Sequence, residues 1–292
     1  GLAPELCRHA PEPYVEMNPA DAAHLGADGG RLVRVTTRQG EAIAVARVSD
    51  RQRKGSIFMP MHWSAAYAPS GRCNPLVAPK VDPRSGQPEF KHTPARVRPY
   101  RETWRGFFIA RDTWTLPKGL DLVWRRIPQP GCQLHEFAGR GDEAERAALR
   151  AALLKGAPAE ALRYEDPGAG SLREAFLVGD RLDRVLFTAR AGALPPRDWL
   201  VEMFAADELS ATDRTSVLVG RALGRPVESG PVVCACRGVR ATRIEAAIAA
   251  GALDVDAVSE ATGAGSVCGS CRPEIGRMCA RAPAEKKVLH AA

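Results

Sequence analysis

Four cysteines near the C-terminus, Cys234, Cys236, Cys268 and Cys271, constrain this chain more than any other feature. They form C-x-C, an insert of 31 residues (237–267), then C-x2-C. Two close pairs of thiols on a segment long enough to fold back on itself supply a four-thiolate metal site, and iron–sulfur clusters and structural zinc both use such sets. Zinc usually shows two C-x2-C pairs, so the C-x-C half favours iron–sulfur. The insert reads as helical. Thr242-Arg243-Ile244-Glu245 has capping-box spacing, Ala246 to Ala250 propagates, and Gly251 stops the helix. A second short helix follows Asp254 and ends near Gly263. The segment after Cys271 is also helical by pattern, which aims a helix N-terminus at the thiolates. Small residues in Ser266-Val267-Cys268-Gly269-Ser270-Cys271 let backbone amides approach the sulfurs.

This arrangement resembles the small [2Fe-2S] domains of bacterioferritin-associated-ferredoxin type, over roughly Pro231 to Arg281. The resemblance implies one [2Fe-2S] cluster held by Cys234, Cys236, Cys268 and Cys271. Arg237, Arg240, Arg243 and Arg272 lie near the cysteines and would attract an acidic electron donor, or form a solvated surface. Cys7, Cys73, Cys132 and Cys279 stand at isolated positions without ligand spacing and read as buried or unreactive thiols.

At 292 residues the chain exceeds one typical domain. Its 45% apolar content, without a run near the roughly 20 residues that span a bilayer, indicates a soluble protein with no membrane partner. The formal charge is +7, but Lys and Arg are dispersed, so no nucleic-acid footprint is expected. The chain starts at Gly1 without a charged-then-apolar leader, which suggests a fragment or processed product in a reducing cytoplasm.

Residues 11–98 read as mainly β-structure with one short helix. Asn18 is an apt N-cap, Pro19 suits the first helical position, Asp21 favours the positive end, and Gly26 terminates. Val33 and Val35 alternate with polar residues, Arg38 to Glu41 make a turn, and Ile43 and Val45 return. Ile57 to Trp63 is expected as a buried strand broken by Pro60, and Ala95 to Val97 as the last strand. The whole reads as a small barrel with long loops on one rim.

Glu12-Pro13-Tyr14-Val15-Glu16-Met17-Asn18-Pro19-Ala20-Asp21-Ala22, Pro60-Met61-His62-Trp63, Asn74-Pro75-Leu76-Val77 and Gln87-Pro88-Glu89-Phe90-Lys91 together resemble the dinucleotide-binding domain of the bis-pterin molybdenum oxidoreductases. The wording around His62 and Lys91 is most similar to assimilatory nitrate reductases. The resemblance implies a double-psi β-barrel and part of a site for a molybdenum bis-molybdopterin guanine dinucleotide. It places Asn74 and Lys91 at cofactor-binding positions, and His62 and Trp63 near the pterin or the substrate funnel. An amide suits a pterin or guanine edge, and an ammonium suits a pyrophosphate. The large catalytic domains and an N-terminal [4Fe-4S] motif of that family lie upstream of where this chain begins.

Residues 99–230 carry no catalytic motif and read as an α+β spacer or docking domain. Trp104, Phe107 and Phe108 open an apolar patch, and Asp142 to Lys155 is a helix ended by Gly156. Leu172 to Val178 and Leu182 to Phe187 flank the turn Gly179-Asp180. Pro196 opens a helix through Phe204, Ser210 begins another, and Val227 to Gly230 is the linker. The strand pair and helices faintly resemble the C-terminal domain of flavin-dependent pyridine-nucleotide reductases, without implying flavin binding.

The expected organisation is therefore multi-domain α+β: a dinucleotide-binding barrel (1–98), an α+β domain (99–230), a helical [2Fe-2S] domain (231–281) and a tail (282–292). The expected function is the cofactor-binding and electron-transfer part of a cytoplasmic assimilatory nitrate reductase. Electrons would come from an NADH-dependent reductase subunit, ferredoxin or flavodoxin, and nitrate would be reduced in the upstream domains of the same polypeptide. The alternatives are another molybdopterin enzyme such as a formate dehydrogenase, or an iron–sulfur carrier module without catalysis.

Overall fold

The computed structural model describes residues 12–27, 29–112, 114, 116, 119–129, 131–190, 194, 195, 197–206, 208–224, 230–234 and 237–281. The linker at 227–229, the tail 282–292, Cys7 and Cys236 lie outside them. By contacts the chain divides into two compact units, one running from Glu12 to Gly224 and one from residue 225 onward.

The first unit opens with β1 (Tyr14–Met17) and α1 (Pro19–Leu25). The Asn18 side chain accepts from Ala20 N–H, Pro19 sits at the first helical turn, and Gly26 closes the helix at φ 62°. Strands β2 (Leu32–Thr36), β3 (Glu41–Val48), β4 (Ile57–Phe58) and β5 (Arg96–Pro99) follow. They form one sheet in the order β4-β1-β3-β2-β5, with β1 and β3 parallel and the other pairs antiparallel. Val15, Met17, Val33, Val35, Ala44 and Leu76 are among its core residues. The expectation of a buried strand over 57–63 is corrected. Pairing to β1 stops after Phe58, and Phe58 and Met61 are each 48% exposed. Pro60 has no N–H to continue the ladder.

Residues 104–190 build a larger sheet than the hairpin predicted from sequence. It comprises β6 (Trp104–Ala110), β7 (Leu122–Gln129), β8 (Cys132–Gly139), β9 (Glu160–Asp166), β10 (Ser171–Val178) and β11 (Arg181–Arg190). Their order is β7-β8-β6-β11-β10-β9, antiparallel throughout. Successive strand residues face opposite sides, and helices cover both. Phe107, Phe187 and Leu177 pack with Leu200, Phe204 and Val217, which come from α3 (Asp198–Met203), α4 (Ala211–Val219) and the intervening chain. Phe108 and Leu186 pack with Leu149 and Leu153 of α2 (Glu143–Leu153). Asp142 caps α2, and Ser210 with Asp213 forms a reciprocal capping box on α4. The two sheets of this unit meet where Leu32 and Ile43 join Tyr100, Ala138 and Val123.

The second unit has a two-stranded ribbon, β12 (Val232–Cys234) and β13 (Val239–Arg240), followed by α5 (Ala241–Ala249), α6 (Val255–Thr262) and α7 (Arg272–Arg281). Asp254 caps α6, and Gly263 ends it at φ 76°. The first helix starts earlier than the capping-box reading placed it: Arg240 stands at the N-cap, with no side-chain cap bond. Ala241 N–H donates to Pro231 O at 2.9 Å, so the ribbon runs directly into the helix. The core comprises Cys234, Val239, Ile244, Ile248, Val258, Ala264, Cys271, Ile275 and Cys279. The molecule is thus mixed α+β, with three sheets and seven helices among the described residues.

Candidate functional site

The ribbon and the N-terminus of α7 bring two distant cysteines together. Cys234 ends β12 and Cys271 directly precedes α7; both are buried, at 1% and 5% exposure. The Cys271 thiol is pushed up to about 11, first by burial and then by its hydrogen bond with the Cys234 thiol and that group's charge. Backbone N–H groups of Cys271 and Gly265 oppose the rise. Donors directed at a sulfur stabilise its thiolate form, the form that binds metal. Gly265 has φ 81°, and a side chain there would press on Arg272 and Ser259 at 3.1 and 3.3 Å. Cys268 is exposed, with its sulfur 3.2 Å from Ser270 Oγ.

Among the described residues no group of three His, Cys, Asp or Glu side chains is assembled around one point. Cys236, the remaining member of the expected set, is outside the described residues. The residues present nonetheless fit a cluster chemically. Cys234 and Cys271 touch, amide donors point at one sulfur, and Cys268 shares the turn leading into α7. Cys279 is buried in the same core, whereas Cys132 and Cys73 belong to the other unit. The arginines are less available than their sequence positions suggested. Arg272 pairs with Asp256 at 2.6 Å, and Arg240 donates to Gly230 O at 2.9 Å.

In the first unit the four candidate residues all lie on the long connection between β4 and β5. Asn74 opens a single 3-10 turn (Asn74–Leu76) and is exposed. The turn is anchored from three sides. Leu76 enters the core, Thr37 Oγ1 donates to Leu76 O at 2.8 Å, and a Cβ on Gly40 would meet Pro75 O at 2.8 Å. Asn74 Oδ1 accepts from the Cys73 thiol at 3.4 Å. His62 is exposed and Trp63 half-buried at the start of the same connection. Lys91 is exposed and follows a tight loop joined by a bridge between Val81 and Pro88. Backbone N–H and hydroxyl of Ser85, then Arg84 N–H, hold Asp82 below the usual carboxylate range and fix that loop.

Two features were missed in the sequence. Of nine exposed large apolar residues among those described, Val48, Phe58, Met61, Val81 and Phe90 all fall between residues 48 and 90. The second is a cavity of about 450 Å³ where the two sheets of this unit meet. Its walls include Glu12, Trp124, Arg125, Glu136 and Arg197. Arg125 pairs with Glu12 and Glu136, and Arg197 with Glu136, so these charges compensate one another. Burial raises the Glu136 carboxyl, but Arg125 and Arg197 outweigh it and hold it below the usual range.

Comparison with known proteins finds similarity at both ends of the chain. Residues 1–94 match the family described as molydopterin dinucleotide binding domain, and residues 232–281 match the BFD-like [2Fe-2S] binding domain. The chain thus carries one segment similar to molydopterin dinucleotide binding domains and one similar to BFD-like [2Fe-2S] binding domains. Among individual relatives, a nitrate reductase of Klebsiella oxytoca is 32% identical over 278 residues, covering 94% of this chain and 31% of that protein. Formate dehydrogenase H of Escherichia coli is 39% identical over 100 residues, or 34% of this chain and 13% of that protein. A periplasmic nitrate reductase of Desulfovibrio desulfuricans is 40% identical over 98 residues, or 34% and 12%. The chain therefore spans less than a third of the length of each of these relatives. No helix among the described residues is long and apolar enough to cross a membrane.

Proposed function

We propose that this chain is the C-terminal cofactor-binding and electron-transfer part of a molybdenum nitrate reductase that works in cytoplasmic nitrate assimilation. The observation that carries the reading is similarity to a nitrate reductase along nearly the whole chain, whereas similarity to formate dehydrogenase H extends over about a third of it. In this reading the five-stranded sheet is the centre of a double-psi barrel. Asn74 hydrogen-bonds a pterin or guanine edge, Lys91 neutralises pyrophosphate, and His62 and Trp63 border the pterin or substrate funnel. Upstream domains cover the exposed apolar residues between 48 and 90 and carry a [4Fe-4S] cluster and the nitrate-binding residues.

The domain of residues 231–281 holds a [2Fe-2S] cluster through Cys234, Cys236, Cys268 and Cys271. When bound, the cluster supplies one-electron transfer; reducing nitrate to nitrite and water consumes two electrons and two protons. The protein's own contribution is to bury Cys234 and Cys271, aim the Cys271 and Gly265 N–H groups at sulfur, and leave Cys268 at the surface, where a reductase subunit, ferredoxin or flavodoxin can approach.

Changing Cys268 to Ser in the full-length enzyme tests the electron path. Nitrate reduction driven by the physiological donor should collapse, while reduction driven by a small viologen dye, feeding an inner cluster directly, should persist. Equal loss in both assays with molybdenum still bound would show that the cluster is not a peripheral entry point. Stoichiometric zinc in place of about two irons per chain would remove the redox role altogether.

A further inference from the structure

The segment between the two family matches does more than separate them. Strand β7 lies at the edge of the six-stranded sheet, so every second N–H along it points away from β8. Arg126 uses that outward edge: its N–H donates to Tyr67 O at 2.7 Å. Its guanidinium carbon lies 4.8 Å from the centre of the Tyr67 ring, a cation–π contact. Pro128, two residues on and in the same phase, shows that an N–H on this edge can be absent without breaking the β7–β8 ladder.

Tyr67 belongs to the connection that carries His62, Trp63 and Asn74. Ser64 O accepts from Tyr67 N–H and Ala68 N–H at 3.1 and 2.9 Å, and Ala68 O accepts from Gly71 N–H at 3.1 Å. A Cβ on Gly71 would lie 2.4 Å from the Pro13 ring, so the turn is also wedged against the start of the first sheet. From Tyr67 to Asn74 the chain is therefore fastened at one end by β7 and at the other by Thr37 and Leu76.

We propose that β7 is the positioning element of the cofactor loop, and that Arg126, which lies outside both matched domains, is its positioning residue. The proposal rests on reading residues 1–94 as the pterin dinucleotide site. Arg126 acts through Tyr67 and touches no cofactor.

The test uses the full-length protein and three variants. Arg126→Pro removes both the N–H and the guanidinium, Arg126→Ala removes only the guanidinium, and Arg126→Lys keeps a cation and the N–H. Hydrogen exchange at Ala68, Gly71, Leu76 and Val77 should accelerate about 5- to 10-fold in Arg126→Pro, the effect of one lost hydrogen bond. Arg126→Ala should accelerate it about 2- to 3-fold, and Arg126→Lys should return it to wild type. Guanosine nucleotide released per chain on acid hydrolysis should fall in the same order, with iron content and exchange in β6, β8 and β11 unchanged. Unchanged loop exchange in Arg126→Pro and Arg126→Ala overturns the proposal, as does faster loop exchange with wild-type nucleotide content. If Arg126→Pro fails to fold, the comparison of Ala with Lys decides. Wild-type protein that releases no nucleotide would instead overturn the dinucleotide reading, leaving the exchange data to judge the contact between β7 and the loop.

Discussion

His135 is enclosed on β8, 1% exposed, with Arg126 opposite it in the register of β7. Burial first, and then the Arg126 charge, push the ring down to about 4, while the bond it makes to the Trp114 backbone acts the other way. A histidine with a depressed folded value stays neutral in the native state and takes up a proton on unfolding below its ordinary pKa near 6.5. Stability is therefore full above about pH 6.5 and falls as pH drops toward 4, by about 2 kcal/mol between pH 7 and 5. Urea titrations at both pH values should show that loss, and His135→Asn should abolish the difference whatever its effect at pH 7. Glu136, held below the ordinary carboxylate range, loses its contribution only at still lower pH and does not blur this window. No sequence signal announced His135, because its environment is made by strands that sequence reasoning left unassigned. Cys234 and Cys271 come from the two doublets whose spacing marks them in the sequence, but which members meet is decided by the ribbon and the approach to α7, which spacing alone does not give. Cys132 shows the contrast. Burial pushes its thiol up to about 11 as well, with Arg111 opposing, yet it sits in an apolar core that holds no second cysteine among the described residues.

At the scale of elements, most helix ends are legible in local sequence, although the start of α5 and the strand expected over 57–63 are not, and elements that depend on partners are harder to read. Asn18, Gly26, Asp142, Ser210, Asp254 and Gly263 bound their helices as residue chemistry requires, and Gly179-Asp180 turns β10 into β11. Strands β7 and β9 escaped notice for stated reasons. Pro128 marks β7 as a poor strand until its edge position is known, and β9 is largely exposed, so it lacks apolar alternation. Packing on the central strand β6 also depends on a close approach that composition does not reveal. A Cβ on Gly106 would lie 2.2 Å from the Phe137 ring and 2.8 Å from Phe187 O. One side of that space is backbone, which cannot rotate away. Gly106→Ala should therefore destabilise the chain by about 1–3 kcal/mol, read as a lower urea midpoint with unchanged slope. Ser210→Ala, which deletes one half of the capping box on α4, should cost about 1 kcal/mol.

For the whole molecule, the two compact units differ in what holds them together. The described residues between 12 and 224 bury aromatic and aliphatic side chains on both faces of a six-stranded sheet. The described part of the second unit, residues 230–234 and 237–281, has a core of nine residues, three of them cysteines. A domain this small is marginal without a metal or cross-link, and two of those cysteines, Cys234 and Cys271, are the proposed ligands. Metal bound by groups that converge only in the folded state contributes its binding free energy to folding. Calorimetry of the loaded chain should thus show two transitions, and oxidative removal of iron followed by chelation should lower or erase one of them. The other transition should keep its temperature, and circular dichroism should lose helix without losing sheet, since the described residues of the second unit contribute three helices and only a short ribbon. A Cys234→Ser, Cys271→Ser double variant should reproduce the chelated trace. If removing iron shifts both transitions together, the two units do not unfold independently and the assignment of the metal to the stability of one of them alone is wrong.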